Sequence, residues 1–461
     1  MNVAIIGTGY VGLVTGAGLA SVGHRVTCID SNLEKIAALR RGELPFVEPG
    51  LPELVSRGVA TGHLHFTHEM KEGCLGAAVI ILAVGTPSNG QGEADLTALR
   101  DCARRLADFL RQRCVVVVKS TVPPGTCEAI QAVFDSRRPG GRSEIRVASN
   151  PEFLAEGTAV EDFCQPARIV IGADDPGTAE LLEALYAPFD PGGSRVMTMD
   201  VATAQYAKYA CNAMLAARIA MVNELANIAL ACDADISSVF RVVGSDPRIG
   251  PRYLQPGPGF GGSCLPKDLR ALYDIAVRHG EDGTLLQSVQ QTNQAQLDRL
   301  VSAVGNIFPD GFDGRLIAIW GLAFKPGTDD VRESPALRLT DRLLMAGARV
   351  QVCDPAVSCL PQMDHPQLSI HADPLDACIG AELLCVMTRW PEFLNPDWPA
   401  VASKMSHALV LDPHFLYDAA TVRRSGLRYL GAGNRSMTWT YSGTRSSDSM
   451  WRLSSSSSAA P

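Results

Sequence analysis

Short apolar runs bounded by glycine, proline or polar residues punctuate the first part of the chain. "VAII" (3–6), "HRVTCID" (24–30), "AAVIILAVGTP" (77–87), "CVVVVKST" (114–121), "IRVASNPEF" (145–153) and "ARIVIGA" (167–173) read as buried strands of a parallel sheet. A helical stretch rich in small residues fills the space up to Val22. From Asp200 the pattern changes: residues 201–231 carry neither glycine nor proline, and Asp200 is a plausible N-cap. A helix over 201–231 would run ~45 Å, a length suited to bridging domains or forming a dimer core. From Asp313 the earlier pattern returns. "RLIAIWGLAF" reads as a strand, "SPALRLTDRLLMAGA" as a helix opened by Ser334-Pro335, and "RVQVCDP" as a second strand ending at Asp354. The fold expected is α/β: two Rossmann-like, doubly wound parallel-sheet domains joined by a long central helix and a helical middle domain. The boundaries expected are 1–199, 200–305 and 313–435, followed by a disordered Ser-rich tail over 436–461.

Composition narrows the class. A chain of 461 residues exceeds one core, and 46% hydrophobic with 20% charged residues is ordinary globular usage. A net charge of -8 argues against a nucleic-acid partner. The 13 cysteines contain no CxxC pair, which favours free thiols in a reducing compartment over a disulfide framework or a metal site. "MNVAIIGTGYVG" lacks a basic leader, and no uninterrupted apolar run reaches ~18 residues. The expectation is a cytoplasmic protein without a membrane partner.

The candidate chemistry begins at Gly7-Thr8-Gly9-Tyr10-Val11-Gly12, set between a strand and a helix. Gly7 permits the turn, Gly9 lets a pyrophosphate approach the backbone, and Gly12 lets the helix close on the strand. Asp30, at the end of the next strand, is placed to accept ribose hydroxyls and to repel a 2′-phosphate, so the cofactor expected is NAD. Thr86, Thr121 and Glu152 follow three further strands and are candidates for the same cleft. Lys208 and Asn212 share one helix face; a lysine amid Tyr206 and Tyr209 is expected to be partly buried, with a lowered pKa suited to a base. In "GFGGSCLPKD" Cys264 precedes a helix that Pro266 would open, so the helix dipole and Lys267 are expected to activate the thiol. Glycines 259, 261 and 262 are expected to let this loop wrap a substrate. NAD with a nucleophilic thiol points to oxidation through a thiohemiacetal and a thioester, with Glu152 or Asp268 activating water. Two reactions fit: aldehyde oxidation, or a four-electron conversion of an alcohol to an acid.

The segments "GTGYVG", "VGTPSNGQGEADL", "KSTVPPGT", "NPEFLAEGTAVEDF", "KYACNAMLAARIAMVNELAN", "PGPGFGGSCLPKD" and "LAFKPGTDDVRESPA" occur in that order. Together they resemble the UDP-glucose/GDP-mannose dehydrogenase family, in particular its bacterial members acting on UDP-glucose. The resemblance implies oxidation of UDP-glucose to UDP-glucuronate with two NAD⁺, a dimer built on the long helix, and a C-terminal domain for the UDP portion. It also implies Cys264 as nucleophile, Lys208 for oxyanion and proton chemistry, Asn212 positioning substrate, and Glu152, Asp268 and Thr121 around the water. For the cofactor it implies Val11, Asp30, Lys35, Thr86, Thr121, Glu156, Lys267 and Arg332. For the sugar nucleotide it implies Phe153, Leu154, Tyr253, Leu254, Gln255, Pro256, Gly257, Gly261 and Lys325, with Arg248 reaching a neighbouring subunit's substrate. Asp412-Pro413-His414 stands where the family usually has Asp-Gly-Arg, Arg389 where an acid is common, and Arg218 where lysine is common. The same chemistry on GDP-mannose or UDP-N-acetylmannosamine, and a non-catalytic NAD-binding redox sensor, are the alternatives.

Overall fold

Strand β1 (Asn2–Ile6) leads into a turn and a helix, Tyr10–Ser21, and the chain returns as β2 (Arg25–Ile29). Six further strands complete the first sheet: β3 (Leu64–Thr67), β4 (Val79–Leu82), β5 (Val115–Val118), β6 (Arg146–Ser149), β7 (Ile169–Gly172) and β8 (Val196–Met199). The computed structural model describes residues 1–89, 92–137, 144–360 and 362–431, so the Ser-rich stretch 436–461 lies outside the described residues. The order is β3-β2-β1-β4-β5-β6-β7-β8, with the direction of winding reversing between β1 and β4. β4, VIIL, and β5, VVVV, are buried at every position, as strands covered by helices on both faces must be. One junction breaks the parallel plan: β6 and β7 are antiparallel and meet through a single pair, Ser149 and Gly172. Short β3 and half-buried β8 have no clear apolar run, and the sequence pattern did not predict them.

The second sheet holds β9 (Leu316–Trp320), β10 (Arg349–Cys353), β11 (Leu368–His371), β12 (Leu383–Val386), β13 (Leu409–Asp412) and β14 (Arg428–Gly431), in the order β11-β10-β9-β12-β13-β14. All its pairings are parallel. It repeats the first unit in atomic detail. Gly7 N–H donates to the Ile29 carbonyl at 2.8 Å, and Gly321 N–H donates to the Cys353 carbonyl at 2.8 Å. Asp30 accepts from Thr8 N–H, and Asp354 accepts from Leu322 N–H. The difference lies in what faces the acid: the Trp390 indole N–H donates to Asp354 at 3.0 Å, sealing the place a ribose would occupy.

Between the sheets runs a helix of 31 residues, Val201–Ala231, opened by the Asp200 carboxylate accepting from Thr203 N–H. By length and hydropathy alone it could cross a membrane. It is nevertheless a core helix here, because Gln205, Lys208, Asn212 and Asn223 are among its buried residues and it packs against helices Leu265–Arg278 and Thr284–Ile307. Met214, Met221 and Ile228 leave an apolar stripe exposed along it.

Candidate active site

The cofactor half is built by close approach. Gly7 has φ +100°, and a Cβ on Gly12 would sit 1.9 Å from the Gly7 carbonyl oxygen, so only glycine lets the helix start against β1. A Cβ on Gly9 would meet nothing within 4 Å, and no side chain caps the helix that Gly9 precedes. The first N–H groups of that helix are therefore free to face an anion. Asp30 accepts from Thr8 N–H, from the Thr8 hydroxyl at 2.7 Å and from Lys35 Nζ at 3.1 Å. Burial works against its charge, but these bonds and that from Asn32 outweigh it and hold the carboxyl down at about 2. A cavity of about 1220 Å³ opens from Gly9 and Val11 past Thr86 and Thr121 to Glu152 and Cys264. A smaller one, about 420 Å³, continues from Gly9 to Asp30 and Lys35. The open glycine, the uncapped helix and the ionised acid fit a dinucleotide laid across the β1/β4 switch point.

The reactive half gathers groups from three distant segments. Lys208 Nζ lies 2.9 Å from Glu152 Oε1, with both side chains almost fully buried. The other oxygen of Glu152 accepts from Leu154 N–H at 2.6 Å. Asn212, one turn along the long helix, donates to Asp268 Oδ2 at 2.6 Å, and Lys267 Nζ lies 2.5 Å from Asp268 Oδ1. Cys264 is the N-cap residue of helix Leu265–Arg278, with Pro266 in its first turn, and its side chain opens onto the cleft.

The electrostatics around the thiol run against the expected activation. Protein packed around Cys264 and the negative charge of Glu152 push its thiol up to about 11 although the side chain still reaches the cleft, and Asp268 adds to the rise. Lys208 pulls the other way, while Lys267 is engaged with Asp268. Lys208 departs from expectation in the same sense. Burial lowers its pKa, but Glu152 first, with Cys264 and Asp268 adding, raises it above its ordinary value, so it is an ammonium and a donor rather than a base. Glu152 is destabilised by burial, yet Lys208, Leu154 N–H and Lys119 bring it below the ordinary range. The glycines of the cysteine loop meet neighbouring protein closely. A Cβ on Gly259 would meet Asn293, one on Gly261 would lie 2.4 Å from the Glu333 carbonyl, and one on Gly262 would strike the Phe324 ring. They let the loop press closely against neighbouring protein at the edge of the cleft.

The remaining sequence-derived residues divide. Glu156 lines the cleft, accepts from Ser263 and Thr328, and lies 3.7 Å from Arg332. Burial and Asp330 push it up to about 7. Lys325 is lowered by burial, opposed by the nearby charges of Glu156 and Glu48. Phe153 lies beneath the Arg168 guanidinium, 3.9 Å away, with Lys208 at 5.3 Å. The 253–257 segment sits apart from the cleft lining, Tyr253 at φ +60° and Leu254 buried. There Gly257 N–H donates to Asn223, its carbonyl accepts from Gln296, and a Cβ on it would strike the His414 ring. Arg248 is exposed and held by its neighbour Asp246, outside the cleft of its own chain. Arg218, the other basic departure, donates to the Ile249 and Gly250 carbonyls. Asp412 is a buried hub accepting from Leu416 N–H and the Tyr429 hydroxyl, and Arg389 Nε has no hydrogen-bond partner among the described residues. Sequence reasoning missed Arg270, which lines the cleft and pairs with Glu333. It also missed Glu48, which accepts from Tyr10 and from the Gly157 and Ala159 N–H groups. A third cleft residue, Lys119, was marked only by its place in "KSTVPPGT".

A dinucleotide cleft of this build, ending at a cysteine beside a buried Glu–Lys pair, is the arrangement of a nucleotide-dependent dehydrogenase. The NAD-binding, central and UDP-binding domain models of the UDP-glucose/GDP-mannose dehydrogenase family match residues 1–190, 202–295 and 318–419. The chain belongs to that family. It is 41% identical to the UDP-glucose 6-dehydrogenase of Pseudomonas aeruginosa over 94% of this chain and 97% of that one. It is 39% identical to UDP-glucose 6-dehydrogenase YwqF of Bacillus subtilis, over 95% and 98%. Among solved structures, a UDP-glucose dehydrogenase from Pyrobaculum islandicum superposes with a TM-score of 0.85 at 35% identity, covering 94% of this chain and 97% of that one. A UDP-D-ManNAc dehydrogenase from Pyrococcus horikoshii gives 0.82 at 27%, covering 94% and 100%.

Proposed function

We propose that the protein oxidises the C6 alcohol of UDP-glucose to UDP-glucuronate, with two NAD⁺ consumed per sugar. The observation that carries this reading is the convergence of Cys264, the buried Glu152–Lys208 pair and the Asn212–Asp268 pair at one end of the dinucleotide cleft. NAD⁺, when bound, accepts one hydride at each of the two oxidations. Val11, Asp30, Lys35, Thr86, Thr121, Glu156, Lys267 and Arg332 hold it. Phe153, Leu154, Lys325, Gly261 and the 253–257 segment receive the sugar nucleotide.

In the first oxidation the alcohol passes its O–H proton to a carboxylate at hand, Glu152 or Asp268, which releases it to solvent, and gives up a hydride to become the aldehyde. The Cys264 sulfur then adds to the carbonyl carbon. A thiol near 11 is about one part in 10⁴ thiolate at pH 7, so its proton must leave as the C–S bond forms, and Glu152 or Asp268 is the acceptor at hand. Lys208 and Asn212 donate to the oxyanion of the thiohemiacetal. Loss of the second hydride leaves a thioester. Water, ordered by Thr121 and deprotonated by a carboxylate, attacks it, and the C–S bond breaks to return the thiol and release the acid.

Residues 1–199 then form the cofactor unit, 200–305 the helical unit carrying Cys264, and 313–435 the nucleotide-receiving unit. The exposed Met214, Met221 and Ile228 stripe supports a homodimer through the long helix, which would bring Arg248 toward a partner's substrate. Thirteen free thiols support a reducing, cytoplasmic setting. The test is stoichiometry with purified protein. Two NADH and one acid per UDP-glucose are expected, and Cys264→Ser should stop after the aldehyde. One NADH with aldehyde released, or full turnover by Cys264→Ser, refutes the thioester route. A higher kcat/KM for GDP-mannose or UDP-N-acetylmannosamine in a substrate panel refutes the choice of sugar.

A further inference from the structure

Lys119 directly follows β5, lines the cleft and is 4% exposed, yet the reaction above gives it no task. Its Nζ donates to Asn150 Oδ1 at 2.9 Å and lies 3.5 Å from both the Asn150 carbonyl and the Tyr186 hydroxyl. The Tyr186 hydroxyl donates to the same Asn150 oxygen at 2.5 Å, and the Asn150 amide donates to the Val170 carbonyl at 2.7 Å. This cluster plugs the β6–β7 junction where the sheet reverses. Asn150 is two residues before Glu152, so whatever holds Asn150 also aims Glu152.

Among the described residues, the charged groups acting on Lys119 are Glu152, which attracts it, and Lys208 on the long helix, which repels it. Tyr186, from the helix Pro176–Tyr186, is the other titratable group facing it. A buried ammonium without an ion-pair partner is costly, and a neutral side chain would fill the same space without that cost. We propose that Lys119 is a positioning residue for Glu152: it grips the Asn150–Pro151–Glu152 turn from beneath and supplies a second positive charge behind the Glu152 carboxylate. Thioester hydrolysis then depends on Lys119 keeping its proton.

The charge leaves a signature separate from activity. Burial brings Lys119 down to about 8, so between that value and the ordinary lysine value the folded protein binds fewer protons than the unfolded chain. Wild-type stability therefore rises with pH across that window, and the cost of the charge is fully present below it.

The experiment compares wild type, Lys119→Met and Lys119→Gln, the last keeping a donor toward Asn150 without the charge. NADH formation from UDP-glucose is followed across pH, and thermal melts are recorded at pH 7. Both variants should lose about tenfold or more in kcat, with KM little changed. The acid limb that reports Glu152 ionisation should move up by about half to one unit. Tm at pH 7 should be equal to or above wild type. Unchanged kcat and acid limb overturn the proposal, and so does a rate loss accompanied by a lower Tm and an unmoved limb. Should Lys119→Met not fold, Lys119→Gln gives the same three readings. The kinetic arms rest on the function proposed above, and a wild type that forms no NADH refutes that function instead. The melts still judge Lys119, because a lower Tm in both variants marks it as a purely structural contact.

Discussion

Replacing Lys208 by methionine isolates the electrostatics at the centre of this site. Both side chains of the Glu152–Lys208 pair are about 5% exposed and their charged atoms are 2.9 Å apart. Removing one member of such a pair costs about 3–5 kcal/mol, mostly because the surviving charge is left buried. Lys119 and Leu154 N–H still support Glu152, so the low end, about 3 kcal/mol, is expected at pH 8. The loss should shrink in acid, and its sign follows from linkage. In wild type the Glu152 pKa is depressed, so its contribution is present above the ordinary carboxylate value and is lost as pH falls. In Lys208→Met it is raised, so its penalty is absent below that value and grows as pH rises. The two proteins therefore converge toward pH 5. Glu152→Gln in the Lys208→Met background removes the stranded charge, and the double mutant should be more stable than the sum of singles predicts by about 2 kcal/mol. Urea unfolding followed by circular dichroism, with midpoints compared at constant m-value, measures all four proteins. An additive double mutant, or a Lys208→Met deficit equal at pH 5 and pH 8, would refute the account of a mutually dependent pair.

Two further predictions use the cysteine and the glycine turn. Iodoacetamide labelling of Cys264 in the free enzyme, read by mass spectrometry, should be slow at pH 7 and rise about tenfold per pH unit toward 10, because only the thiolate reacts; a rate that levels off below pH 8 contradicts the raised thiol. Gly9→Ala and Gly12→Ala should differ in kind. The Gly9 methyl enters open space, so Gly9→Ala should keep stability within about 1 kcal/mol while weakening NAD⁺ binding measured by calorimetry. Gly12→Ala forces a methyl to 1.9 Å from the Gly7 carbonyl and should destabilise by about 3 kcal/mol; equal melts for the two variants refute the close-approach argument.

What could be read from the sequence was local. Gly7, Gly9, Gly12 and Asp30 lie within one βαβ unit, and residue type with spacing was enough to place them. The same is true of Asp200 as a helix cap and of Cys264 before its helix. Strands β3 and β8 were missed because neither is apolar on both faces, and the reversal at β6–β7 leaves no mark in either strand's composition. The surroundings of the thiol were only partly legible for a related reason. Its helix and Lys267 are sequence neighbours and were counted, whereas Glu152 and Lys208 come from other segments. The nearby carboxylate and the protein packed around the sulfur outweigh a helix terminus worth about 0.3–1 kcal/mol at an exposed site. Once those neighbours are included, the roles change. Lys208 keeps its proton because Glu152 is ionised, and Glu152 is ionised because Lys208 and Lys119 stand behind it. The same arrangement raises the thiol, so on the proposed route a site organised around two carboxylates would release the Cys264 proton at the moment of addition rather than store a thiolate beforehand.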